Sequence, residues 1–119
     1  YAHARICSMV RKMAEEGVVV PAASQVDATL LAEPEEKALL KALSELPEEI
    51  RLAARDYDPS RINRYLVELS GSFHRFYNTC RCMVEGAALR DARLKLADTT
   101  RAVIAAGLQL LGVTAPEKM

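Results

Sequence analysis

The stretch DPSRINRYLVELSGSFHRFYNT, residues 58–79, is the part of the sequence that decides the fold class. Its large apolar residues recur at spacings of three and four, which is the period of an α-helix with one buried face. An acid followed by proline at its start, Asp58 and Pro59, is typical of a helix N-terminus. The stretch therefore predicts one long amphipathic helix that ends near Thr79, with this apolar stripe: Ile62, Leu66, Leu69, Phe73 and Phe76.

Working outward from this helix, the same reading predicts four others. The first covers residues 1–16 and ends at Gly17, and residues 17–33 form a loop with at most a short extended or helical piece. The second begins near Pro34, and Pro47 ends it and opens the third. The last covers about 88–111 and ends at Gly112. No strand pattern competes, so we expect an all-α domain, an antiparallel bundle of about five helices.

Some positions in these helices carry specific expectations about packing. Ile50, Ala53, Ala54 and Tyr57 are the predicted buried residues of the third helix, and Leu110 belongs to the apolar stripe of the last. Gly71 lowers the helix propensity of the long helix, so close packing of another element is expected there.

Length and charge bound the kind of protein. The 119 residues are half hydrophobic and match one folded domain that needs no disulfides. The net charge is zero, but residues 1–58 carry a net charge of −4 and residues 59–119 a net charge of +4. This asymmetry allows a basic face on a neutral domain. No apolar run is long enough for a membrane span, and no secretion signal is present.

Residues suited to catalysis or metal binding do not form a recognisable motif. The three cysteines, Cys7, Cys80 and Cys82, are interpreted as free thiols, and no metal site is expected. His3 and His74 are interpreted as structural groups. The acid pairs Glu35–Glu36 and Glu48–Glu49 stand at helix starts, where the helix dipole explains them. We therefore expect no catalytic site in this chain.

Several segments together resemble the C-terminal region of arginyl-tRNA synthetases. Residues 1–8, YAHARICS, are similar to that family's entry into its anticodon-binding domain, and residues 73–80, FHRFYNTC, to one of its helices. Arg93-Leu94 and residues 107–112 resemble its last helix, and residues 115–119, APEKM, its C-terminus. The domain type is named after an Asp-Ala-Leu-Arg motif, of which this chain has Ala88, Leu89 and Arg90 but Ala87 in place of the acid.

The resemblance implies an anticodon-binding domain of a class Ia aminoacyl-tRNA synthetase that recognises the anticodon stem-loop of tRNA(Arg). The full enzyme would join arginine to tRNA with ATP and magnesium, in an upstream catalytic domain that is absent here. No cofactor is expected in residues 1–119, which begin without Met inside a predicted helix and are interpreted as a C-terminal fragment. We expect a cytoplasmic monomer whose partners are tRNA(Arg) and its own catalytic domain, without DNA or membrane.

Candidate RNA-binding residues follow from the chemistry of an unstacked loop. Such loops are read by aromatic or guanidinium stacking and by hydrogen bonds to base edges and phosphates. Tyr1 and Arg5 lie one turn apart on the first helix, and a second group lies at the end of the long helix. A terminal thioether and carboxylate could complete the site. The predicted set is Tyr1, Arg5, Arg75, Tyr77, Asn78, Arg81 and Met119.

Other readings of these residues stay open. Tyr77 could border the core, and Tyr1 could pack against the upstream domain. Arg61 and Arg64 are better explained by pairing with Glu68 than by contact with bases. Three further arginines are interpreted as a solvated face of the last helix: Arg90, Arg93 and Arg101. The alternative function is a helical protein-interaction module that does not bind RNA.

Overall fold

The chain is all-α wherever its structure is described. The computed structural model describes residues 2–22, 26, 28–80 and 86–112. In these ranges the elements are α1 (Ala2–Glu15), a 3₁₀ turn (Ala28–Leu30), α2 (Pro34–Ser44), α3 (Leu46–Arg55), α4 (Ser60–Thr79) and α5 (Ala87–Leu110). No strand occurs within them, so the predicted fold class is confirmed. A single residue, Glu45, separates α2 from α3, and the regular antiparallel arrangement of five helices remains a prediction.

The long helix α4 is the centre of the packing. It contacts each of the other four α-helices. Leu69, Phe73 and Phe76, on its apolar stripe, have no solvent-accessible surface. They belong to one hydrophobic core with fully buried residues of three other helices: Ile6 of α1, Leu39 of α2 and Leu94 of α5. The stretch that decides the fold class in the sequence is therefore also the element around which the domain is built.

The predicted helix ends coincide with local backbone signals. Gly17 and Gly112 follow α1 and α5 with φ values of +83° and +76°, a left-handed conformation that glycine adopts without a steric penalty. At the start of α4, Oδ1 of Asp58 accepts a hydrogen bond from the backbone N–H of Ser60 at 3.1 Å. The predicted N-cap position was one residue too early, because α4 begins at Ser60 and Pro59 is the flanking residue, but the Asp58 side chain still accepts the N–H of the first helical residue.

Helix α2 is held to α4 and α5 by polar contacts at buried positions. The hydroxyl of Tyr65 donates to the backbone carbonyl of Ala42 at 2.6 Å. Burial, with the negative charges of Glu45 and Glu49, raises the pKa of Tyr65 to about 12. At the other end of α2, Glu36 is fully buried and its Oε2 accepts from Nε of Arg93 at 2.9 Å. Its position at the start of α2 predicts only that Glu36 compensates the helix dipole, whereas in the structure it also holds α2 to α5 through Arg93.

Four predicted core residues are exposed instead, and one of them is Ala54 of α3. Helix α3 ends at Arg55, and Tyr57 lies beyond it with a φ of 51° and 93% of its surface exposed. Ile50 is 39% exposed and Leu110 is 62% exposed. For Tyr57 and Leu110 the prediction was wrong because helical periodicity was extended to helix ends, where the chain leaves the partner helix. Ile50 and Ala54 lie within α3, whose buried residue is Ala53, so the buried face of this helix is narrower than predicted.

Close helix packing occurs at Gly107 and not at Gly71. A Cβ added to Gly107 would lie 2.7 Å from Cδ2 of Leu66, so α4 and α5 approach each other there. A Cβ at Gly71 would meet only the guanidinium of Arg75 on the same helix, at 3.6 Å. The expectation of another element packed against Gly71 was therefore wrong.

Candidate nucleic-acid interface

Helices α1 and α4 bring Arg5 and Tyr77 together. The guanidinium carbon of Arg5 lies 4.7 Å from the centroid of the Tyr77 ring, a distance typical of a cation–π contact. Nη1 of Arg5 also lies 3.5 Å from Nδ1 of His74, one turn before Tyr77 on α4. The three side chains form one group, which we call the Arg5 cluster: Arg5, His74 and Tyr77.

The core fixes the position of this cluster. Phe73 is fully buried, and its ring centroid lies 5.9 Å from that of Tyr77 and 5.8 Å from that of His74. On α1, Ile6 is fully buried next to Arg5. These buried neighbours anchor both helices. Arg5 itself is only partly buried, and Tyr77 keeps 39% of its surface exposed. The cluster therefore presents a cation and an aromatic ring at the surface.

The imidazole of His74 favours its neutral form in this position. Its pKa is lowered from the ordinary value by burial and then by the positive charge of Arg5. A neutral ring can accept a hydrogen bond through Nδ1, whereas a protonated one cannot. Sequence reasoning assigned His74 only a structural role, and the signal that it missed was the i, i+3 spacing to Tyr77.

Arg75 does not join the Arg5 cluster. Successive residues of an α-helix are rotated by about 100°, so Arg75 points about 200° away from Tyr77 around α4. Its guanidinium donates to Oγ of Ser72 at 3.1 Å. It lines a groove of about 470 Å³ between α2 and α4, together with Lys41 and Glu45. Asn78 is exposed near the end of α4.

Tyr1, Arg81 and Met119 lie outside the described residues, as does Cys82. Their contribution to an RNA site stays a prediction. Of the other thiols, Cys7 is partly buried and Cys80 is buried, and the two do not form a disulfide. Burial and the charge of Glu36 raise the pKa of Cys80.

Several arginines pair differently from the prediction. Arg61 donates to Glu49 of α3 at 2.7 Å, and Arg64 lies 3.6 Å from Asp58, so neither pairs with Glu68. Arg93 is nearly buried against Glu36 and does not belong to a solvated face. The predictions considered partners within one helix, whereas Arg61 and Arg93 have carboxylates on another helix within reach.

In the part of the chain that the structure describes, no three His, Cys, Asp or Glu side chains are grouped in a way that could hold a metal ion. Over the same residues, no helix combines the length and the apolar character that crossing a membrane requires.

The fold is that of a helical domain found in aminoacyl-tRNA synthetases. It superposes on Thermus thermophilus arginyl-tRNA synthetase with a TM-score of 0.86 and 32% sequence identity, covering 100% of this chain and 20% of that one. The family model of the DALR anticodon binding domain matches residues 1–119. The chain belongs to the DALR anticodon-binding domain family.

Curated relatives from two bacteria agree with this assignment. The chain is 49% identical over 119 residues to the arginine–tRNA ligase of Ruminiclostridium cellulolyticum and 52% identical over 119 residues to that of Symbiobacterium thermophilum. Each match covers all of this chain and 21% of the relative. The chain therefore spans about a fifth of the length of these relatives.

Proposed function

We propose that this chain binds the anticodon stem-loop of tRNA(Arg) as one domain of an arginine–tRNA ligase. The family membership supports the class of ligand, and the Arg5 cluster is the observation that carries the proposal for this chain. A guanidinium 4.7 Å from a tyrosine ring, at a partly exposed position, has the chemistry that RNA loops require: stacking surface, positive charge and hydrogen-bond donors.

The proposed site extends the Arg5 cluster with the other predicted residues. Asn78 lies next to Tyr77 and can pair with a base edge, and Arg75 on its separate face would bind a phosphate further along the strand. The proposal keeps Tyr1, Arg81 and Met119 as further contacts. It also keeps the antiparallel five-helix arrangement that is typical of class Ia synthetases.

The activity of the whole enzyme is part of the proposal. Arginylation of tRNA with ATP and magnesium would take place in an upstream catalytic domain of the same chain. Residues 1–119 would need no cofactor, and the enzyme would act as a cytoplasmic monomer without contact to DNA or membrane. The part of residues 1–119 would be to recognise the tRNA and hold it for the reaction.

Equilibrium titration of the full-length enzyme with tRNA(Arg) tests this function. Transcripts with an altered anticodon should bind more weakly than the natural one, and affinity should fall with rising salt. Since one base stack is worth about 1–3 kcal/mol, Tyr77→Ala should weaken binding by about 5- to 150-fold, with arginine and ATP affinities nearly unchanged. Arg75→Ala should also weaken binding, through loss of its phosphate contact.

Arg51→Ala provides the matched control for these variants. Arg51 is an exposed arginine of α3 that pairs with Glu48 at 2.6 Å, so its loss should leave tRNA affinity nearly unchanged. If anticodon changes have no effect on affinity, the proposed function is wrong. If only Tyr77→Ala and Arg75→Ala have none, those two residues lie outside the site.

A specific surface favours the alternative function, a protein-interaction module. Ile50, Tyr57 and Leu110 line an apolar groove of about 390 Å³ where α3 and α4 meet the end of α5. Exposed apolar surface of this kind is common at protein interfaces. Failure of the full-length enzyme to bind any tRNA would favour this alternative.

A further inference from the structure

We propose that the apolar groove at Tyr57 docks onto a surface of aliphatic side chains in the catalytic part of the same polypeptide. The groove lies where α3 and the start of α4 meet the end of α5, and Ile50, Tyr57 and Leu110 are exposed members of it. The inference goes beyond tRNA binding. It rests on the proposed function only in that a catalytic domain belongs to the same chain.

The backbone at Tyr57 is the first argument. At the end of α3, the N–H of Asp58 donates to the carbonyl of Ala53 at 3.0 Å. The N–H of Tyr57 donates to the carbonyl of Ala54 at 3.4 Å. This pair of bonds closes a helix with a left-handed residue that is usually glycine, and α1 ends in the same way at Gly17. Tyrosine, with a φ of 51°, holds this position at a steric cost that glycine does not have.

The exposure of the Tyr57 ring is the second argument. With 93% of its surface accessible, the ring gains little hydrophobic stabilisation within the described part of the chain. The residue is therefore unfavourable for its backbone and unburied in its own domain. Both features are explained if the ring is buried by a surface outside this domain. Tyrosine is enriched at protein interfaces because its ring is apolar and its hydroxyl can form a hydrogen bond.

The charges around the groove favour a protein surface over RNA. Of the described residues that line the groove, only Asp58 is charged, and its charge is negative. Two arginines that are sequence neighbours of lining residues already have carboxylate partners: Arg55 pairs with Asp56 at 2.8 Å and Arg61 with Glu49 at 2.7 Å. RNA binding depends on positive charge that can neutralise phosphates. An apolar centre with a polar, neutralised rim is typical of a contact between proteins.

The size of the patch favours the same polypeptide over a second molecule. An aromatic side chain buries about 150–250 Å², so Tyr57 and the two partly exposed aliphatic residues supply on the order of 400 Å², or about 800 Å² with an equal partner surface. Domains of one chain bury about 600–1,500 Å² in total, whereas separate proteins in stable complexes bury about 1,200–2,000 Å². Residues 1–119 cover 21% of two curated relatives, so most of such an enzyme lies outside them.

Photo-cross-linking in the full-length enzyme tests the inference. Tyr57→p-benzoylphenylalanine places a reactive ring in the groove. The matched control is the same replacement of Val67, which is 65% exposed and lines the separate groove between α2 and α4. A mixture of enzyme with natural and with heavy nitrogen shows, by mass spectrometry, whether a cross-link joins one molecule or two. We expect cross-links from position 57 to the catalytic part of the same molecule, at about five times the yield from position 67 or more.

Hydroxyl-radical footprinting gives a second, independent readout. Leu110 is 62% exposed and Leu30 is 39% exposed, so an open groove makes Leu110 the more reactive of two residues of one type. Docking reverses this order in the natural full-length enzyme. Tyr57→Gly keeps the left-handed backbone and removes the ring, so it should raise the modification rate of Leu110 by about tenfold, since burial of the ring contributes at least this factor to docking. Tyr57→Phe should stay within about twofold.

Several results would overturn the inference. Cross-links between two molecules would make the groove a dimer surface, and cross-links only to residues 113–119 would mean that the domain covers its own groove. Yields that do not exceed those at position 67, or a Leu110 that reacts faster than Leu30, would mean that the groove is open. Protection of Leu110 that requires tRNA(Arg) would assign the groove to RNA. Because the other measurements use no RNA, a failure of anticodon recognition would refute the proposed function and leave this result standing.

Discussion

Glu36 combines two roles at the start of α2. Its Oε1 accepts a hydrogen bond from the backbone N–H of Glu33 at 3.1 Å and so caps the helix. Its Oε2 accepts from Arg93, and the two side chains are 1% and 11% exposed. Removing one charge of a buried pair leaves the other without compensation, which is more costly than losing a surface pair.

Glu36→Gln should therefore destabilise the domain strongly. We expect a loss of about 3–5 kcal/mol in the free energy of unfolding, because the charge of Arg93 stays at a nearly buried position. Urea unfolding followed by circular dichroism measures this loss. The matched control is Glu35→Gln, which changes a similar charge in the same helical turn and should cost less than about 1 kcal/mol. Equal losses in the two variants would mean that the helix dipole, and not the pair with Arg93, determines the effect.

At the scale of the helices, the crossing of α4 and α5 depends on one glycine. A Cβ at Gly107 would come within 3.1 Å of Cγ and both Cδ atoms of Leu66. Leu66 is itself buried, so it cannot move outward without disturbing the core. The interior of α5 thus accepts a residue of poor helix propensity because the approach of α4 leaves no space for a side chain.

Gly107→Ala and Gly71→Ala should have opposite effects. Overpacking a core costs about 1–3 kcal/mol, so Gly107→Ala should lower the free energy of unfolding in spite of the better helix propensity of alanine. At Gly71 only the guanidinium of Arg75 is near, and alanine should stabilise α4 by about 0.5–1 kcal/mol. Denaturant unfolding of both variants measures the difference. A stabilising Gly107→Ala would show that Leu66 can be accommodated elsewhere and that the crossing is looser than the distances indicate.

At the scale of the whole molecule, several groups have a lower pKa in the folded state than in the unfolded chain. Acid therefore destabilises the folded state. The folded state lowers the pKa of His74, mainly by burial, so the unfolded chain binds more protons below its ordinary pKa of 6.5. Hydrogen bonds from Arg51, Arg55 and Ser60 lower the pKa values of Glu48, Asp56 and Asp58. Their contribution is present above the ordinary carboxyl pKa and is lost as the pH falls through the lowered value.

The urea midpoint should therefore fall in two stages as the pH is lowered from 8 to 3. The first stage lies below about pH 6.5, where His74 takes up a proton in the unfolded chain. The second lies below about pH 4, where Glu48, Asp56 and Asp58 take up protons in the unfolded chain. His74→Asn should reduce the first stage and leave the second in place. A midpoint that stays constant between pH 7.5 and 5.5 would contradict the role given to His74.

Much of the fold could be read from the sequence because its signals are local. Apolar spacing, Pro34, Pro47 and the glycines after α1 and α5 act within a few residues of each helix boundary. They gave the all-α class and helix bounds within about two residues of the observed ones. The same local reasoning was wrong for Tyr57, because a left-handed backbone beyond the end of α3 turns the side chain into solvent.

What the sequence by itself determined is therefore the set of helices, the family and the kinds of side chain available for RNA. Only the tertiary structure decided which of these side chains meet. Arg5 and His74 are 69 residues apart, and Glu36 and Arg93 are 57 apart. Local periodicity contains no information on such pairs, because they form only when the packing of Phe73, Leu66 and Gly107 has fixed how the helices cross.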